Sequence, residues 1–107
     1  MDRQARIDAF SVAAHCVAVA RLREQPARLR EAREVLQRWR DQAGGPSHCD
    51  PYWDEWDRLL QQDVEAVEAA VCVATDHAAT LRSVSPLGRF LTAEERNRLL
   101  RQAHVTA

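Results

Sequence analysis

The chain of 107 residues contains no lysine; all 15 basic residues are arginine. With alanine and valine also abundant, the simplest source of that bias is a GC-rich genome, although arginine also suits planar, bidentate contacts that lysine makes poorly. Glycine (3) and proline (4) are scarce. Gly44-Gly45 lead into Pro46 with no lysine after them, so the glycine-rich loop that cradles nucleotide phosphates is excluded. Cysteine is odd in number and spread out, at Cys16, Cys49 and Cys72. That excludes a disulfide framework and points to a reducing cytoplasm. No apolar run approaches the ~20 residues that cross a bilayer. Arg3 and Arg6 before an apolar stretch ending in Ala18-Val19-Ala20 have the outline of a signal peptide. Asp2 and Asp8 spoil its basic region, however, and Ser11 and His15 interrupt its apolar one, so the stretch reads as a helix of the domain.

What is present is helical periodicity. Alternating strand patterns of useful length are missing, and the expected fold is all-α: one domain over residues 1–107, a bundle of five to six helices. The first helix runs from about Arg3 to Arg23 and is apolar most of the way round, the pattern of a central helix covered on several sides. The second starts near Pro26 and carries a stripe of Leu29, Ala32, Leu36 and Trp39. Gly44-Gly45-Pro46 ends it. Asp50 is the expected cap of a third helix with Pro51 at its first position. Asp63 is the expected cap of a fourth, with Val64, Val67, Val71 and Ala74 on one face, and Thr75 restarts a short helix to about Ser83. One bent rod over residues 51–83 is the alternative. Ser85-Pro86-Leu87-Gly88 breaks the chain, and Thr92 with Glu95 forms a capping box for a short last helix.

The net charge of −1 is unevenly spread. Residues 1–43 carry nine arginines against six carboxylates, residues 44–86 two against eight, and residues 87–107 four against two. An acidic middle segment repels DNA phosphate and attracts a basic surface. The arginines of the second helix alternate with Glu31, Glu34 and Asp41, which further disfavours DNA.

Chemistry is hard to find. His15-Cys16 and His48-Cys49 lack the paired short spacings of a zinc site, and adjacent helical residues point about 100° apart. Cys49 has no supporting motif for a nucleophile. His15 is expected to be a hydrogen-bonded core or interface histidine. No cofactor, metal or catalytic residue is expected. Half of the six aromatic residues crowd into Tyr52, Trp53 and Trp56, interleaved with Asp54, Glu55 and Asp57. On a helix the aromatic and acidic residues take opposite arcs. Trp53 and Trp56 fit a core, and Tyr52 near the helix start fits an interface.

Three stretches, taken in order, resemble a family of small helical antitoxins encoded beside nucleotidyltransferase-like toxins in bacteria. They are His15 with Arg21-Leu22-Arg23 and Pro26; Pro51-Tyr52-Trp53 through Trp56, Leu59 and Leu60; and Leu81-Arg82 with Ser85-Pro86, Gly88, Leu91 and Glu95-Arg96. The resemblance spans about four-fifths of the chain. It implies a cytoplasmic, non-enzymatic protein that binds its cognate toxin and blocks the active site. On that reading Asp54, Glu55 and Asp57 would meet a basic toxin surface, Tyr52 would anchor it, and the Ser-Pro turn would present Arg89 and Phe90. A self-associating helical module, burying its first and third helices against a second copy, is the competing expectation.

Overall fold

The computed structural model describes residues 2–105, with side chains through Ala103. Among them every regular element is helical. The α-helices are α1 (Arg3–Glu24), α2 (Leu29–Ala43), α3 (Asp50–Gln62), α4 (Val64–Val71), α5 (Asp76–Ser83) and α6 (Ala93–Val105), with 3-10 turns at Pro26–Arg28 and Gly88–Phe90.

Local caps set most of the boundaries, because a polar side chain can satisfy the amides that a helix start leaves open. Asp2 accepts from the Ala5 N–H (2.7 Å), Asp63 from Ala66 (2.8 Å) and Thr75 from Ala78 (3.1 Å). At Asp63 the backbone is fully extended (φ −156°, ψ 176°), so residues 51–83 form three helices and not one bent rod. Thr92 and Glu95 bond reciprocally, amide to side chain, at 2.8 and 3.0 Å. Gly44 closes α2 with φ +70°, the left-handed conformation that a side chain resists.

Three boundaries differ from expectation. Asp50 does not cap α3. It is the helix's first residue, and its carboxylate turns back to accept from the Ser47 N–H (2.9 Å), because a turn at Ser47–Asp50 starts the helix one residue earlier. Pro26 opens a 3-10 turn that feeds α2, rather than α2 itself. Ala74 falls outside α4, which stops at Val71 and leaves Val64, Val67 and Val71 as its buried face.

A single cluster forms the core: Ala18, Val19 and Leu22 of α1, Ala32 and Leu36 of α2, Trp56 and Leu60 of α3, the three valines of α4, Leu81 of α5, and Leu87 and Phe90 of the turn before α6. α1 touches α4, α5, α6 and both 3-10 turns. Polar contacts fasten this packing. The fully buried Trp56 donates its indole N–H to the Leu81 carbonyl (2.8 Å). Arg21 grips both oxygens of Glu95 (3.0 and 2.9 Å) and also donates to the Phe90 carbonyl (2.8 Å), tying α6 and its leading turn to α1. Arg82, only 6% exposed, donates to the Val71 and Val73 carbonyls (2.9 and 2.7 Å). A cation therefore sits on the open carbonyls at the C-terminal end of α4, where the helix dipole favours it.

Candidate protein-binding site

The residues expected to meet a partner are divided by the fold. Tyr52 is half-buried against the core, with its ring 6.4 Å from that of His77. Asp54 is exposed but bonded to Arg40 of α2 (2.8 Å). Both oxygens of Glu55 meet His77 Nε2 (2.8 and 3.0 Å), and Asp57 accepts from Gln61 (2.9 Å). Further along the acidic segment, Glu65 and Glu68 are both held by Arg23 of α1 at 3.0 Å. Of the five carboxylates of this strip, Asp54, Glu65 and Glu68 thus pair with arginines of their own chain.

Arg89 is exposed, with its Nε 4.0 Å from Glu31. Phe90 corrects the expectation of a presented aromatic: it is 1% exposed, and the Arg28 guanidinium lies 4.6 Å from its ring centroid. The Ser-Pro turn points Phe90 inward because an apolar ring gains more from the core beside α1 than from solvent. Arg28 in turn binds Glu31 (3.1 Å), and that contact holds the Glu31 carboxyl below its ordinary range.

His15 lies where it was expected, inside. Its Nδ1 is 2.8 Å from the Ser11 carbonyl, which can only accept, so Nδ1 carries the proton and Nε2 is bare. Burial lowers its pKa most; the Ser11 bond opposes this and the charge of Arg82 adds to the lowering. Its ring packs on Trp56 with centroids 6.5 Å apart. Glu95, pressed by Arg21 and then by the Thr92 amide, is lowered to about 2, and Arg21 is raised by the same contact. His15, Arg21, Leu22, Trp56, Leu60, Leu81, Arg82 and Glu95, which carry much of the family resemblance, therefore build the fold's interior and its fastenings.

A different surface is left open. None of α1's residues before His15 is buried, although Ile7, Phe10, Val12, Ala13 and Ala14 are apolar. Three large hydrophobic side chains stand out as exposed: Ile7 (47%), Leu100 (47%) and Val73 (40%). Ile7 and Leu100 meet across one cleft of about 210 Å³ between α1 and α6, lined also by Phe10, Ala103, Arg3 and Arg6. Among the described residues its lining carries two cations, Arg3 and Arg6, and no carboxylate. A second cleft of about 180 Å³ continues along the same face of α1 past Phe10, Ser11, Ala14 and His15 toward Arg82 and Arg96.

Ile7 was hidden in the sequence by a helix that is apolar nearly all round. Leu100 left a signal: neighbouring leucines on a helix point about 100° apart, and here Leu99 is buried and Leu100 is not. Among the described residues no three potential metal ligands gather, and no helix is long and apolar enough to cross a membrane. No protein family, curated protein or solved structure matches the chain.

Proposed function

We propose that the protein is a non-catalytic antitoxin that binds a nucleotidyltransferase-like toxin and closes its active site, anchored through the cleft between α1 and α6. The observation that carries a binding role is the convergence of Ile7 and Leu100, both 47% exposed, on one cleft. A small apolar cleft with cations beside it offers a partner side chain a desolvated pocket, the setting in which binding anchors concentrate. The rim selects the occupant. Arg3 and Arg6 suit a partner segment with apolar side chains in the cleft and carboxylates at its edge. The choice of a toxin as partner rests on the family resemblance in the sequence, and such an antitoxin acts in the cytoplasm. Asp54, Glu55 and Asp57 would face a basic part of the toxin. Two of them are already engaged by Arg40 and His77, so they contribute steering more than affinity.

The test is co-expression with the product of the adjacent open reading frame, followed by affinity capture and light-scattering mass. A hetero-complex that relieves growth arrest, and that is lost in Ile7→Asp, is the expected result. A homo-oligomer that ignores the neighbour would replace this reading with the self-associating module. A complex insensitive to Ile7→Asp would keep the antitoxin and move its anchor elsewhere.

A further inference from the structure

Cys16 and Cys72 are distant in sequence and adjacent in the fold. Two contacts set the register of α1 on α4. At one end, Arg23 of α1 holds Glu65 and Glu68 of α4 at 3.0 Å. At the other, Arg82 bonds the Val71 and Val73 carbonyls and shares a cleft with Ala9 and Val12 of α1. The helices therefore run antiparallel, with the middle of α1 beside the end of α4. Seven residues back from Arg23 is Cys16, and seven forward from Glu65 is Cys72. Each step covers about 10 Å of helix axis, which brings the two residues to the same level of the seam. Cys16 is exposed and Cys72 half-buried at the last position of that seam. Burial first, and then the neighbouring Cys16, push the Cys72 thiol up to about 12.

We infer that Cys16 and Cys72 are a redox pair, oxidised by a hydroperoxide to a disulfide that fastens α1 to the end of α4. The exposed Cys16 thiolate attacks one peroxide oxygen; the O–O bond breaks, a sulfenic acid forms, and the released hydroxide takes up a proton as water. Cys72 then attacks Cys16 Sγ. The S–S bond forms, the S–OH bond breaks, and the departing hydroxide takes the Cys72 proton as a second water. Two thiols lose two electrons in all, and the peroxide gains them. The roles follow from placement. Cys72, half-buried, is shielded from an oxidant in solution, and its place at the level of Cys16 lets it give up its proton and resolve the sulfenic acid before further oxidation. The pair stands where the buried part of α1 begins, so the bond would reinforce that boundary. A thiol reductant returns both cysteines to the starting state.

The experiment titrates the reduced full-length protein with hydrogen peroxide and reads free thiols, intact mass and non-reducing peptide maps. Two of the three thiols should disappear together, with a mass loss of two hydrogens, one linked peptide pair containing Cys16 and Cys72, and a raised melting temperature. Dithiothreitol should reverse all of these. Cys49→Ser should behave as wild type. Cys72→Ser should leave a Cys16 sulfenic acid that dimedone traps. Over-oxidation of Cys16 with Cys72 still free, a Cys16-linked dimer, or any linkage through Cys49 would overturn the inference.

Discussion

The two halves of α1 are built from similar residues and have opposite fates. From His15 onward, Ala18, Val19 and Leu22 are buried, and Arg21 and Arg23 reach out to hold α6 and α4. Before His15 no residue is buried, and Ile7 stands half-exposed beside Leu100. Apolar content does not separate the halves; what lies opposite them does. α4, the two 3-10 turns and the start of α6 cover the second half. The first half faces α5, the segment before it, the Ser85–Leu91 turn and the later part of α6 across a series of clefts. A helix that is apolar most of the way round is thus central for one half of its length and a platform for the other. The same contrast separates scaffold from contact surface in the proposed function.

Breaking the fastened half should have the largest effect. Phe90→Ala is expected to destabilise the protein by about 3–5 kcal/mol, as for other fully buried aromatic rings. Urea unfolding measures this, while the molecules that remain folded should bind the partner with unchanged affinity. Arg82→Met strips the carbonyls of Val71 and Val73 of their donor. At roughly 1.5 kcal/mol or more for each charge-assisted bond, a loss of about 3 kcal/mol is expected by the same method. The open half should respond in the opposite way. Ile7→Asp or Leu100→Asp should change stability by less than about 0.5 kcal/mol. Each should nonetheless weaken partner binding at least about tenfold by calorimetric titration, as expected of a buried anchor.

A milder perturbation is pH. The folded-state pKa of His15 lies below its ordinary value of 6.5, so the unfolded chain takes up a proton first. Its contribution is complete above about 6.5 and declines as the pH falls below that toward the folded pKa. Glu95, at about 2 against an ordinary 4.5, adds a second decline that begins near pH 4.5 and continues toward 2. Melting temperatures should fall in these two steps, with His15→Gln flattening the first and Glu95→Gln the second. The smallest effect is expected from Asp54→Arg with Glu55→Arg. Association should slow a few-fold, more at low salt than at high, and dissociation should hardly change, since steering acts on encounter. Stopped-flow binding distinguishes the two rates.

Much of the fold was legible because it is written locally. Asp63, Thr75 and the Thr92–Glu95 box cap helices through bonds that span three residues, and valine and leucine spacing marks the buried faces. The surroundings of the candidate contact residues are less legible because their determinants are distant in sequence. Asp54 meets Arg40 across 14 residues, Glu55 meets His77 across 22, and Glu65 meets Arg23 across 42. No reading of the acidic segment alone could find those partners. Phe90 was misplaced for the same reason: the turn that carries it folds back onto α1, and its carbonyl meets Arg21 across 69 residues. Asp50 was misread on a local ground. Aspartate before proline has the form of a cap, but Ser47 supplies an earlier turn, and the carboxylate bonds backward to it.

The most direct measurement is amide hydrogen exchange along α1, with the protein alone and then with the adjacent gene's product. The account predicts slow exchange in residues 15–24 in both states. Residues 3–14 should exchange much faster in the free protein and become protected in the complex, together with the α6 amides around Leu100. Equal protection of both halves in the free protein, or a complex that leaves residues 3–14 unchanged, would contradict it.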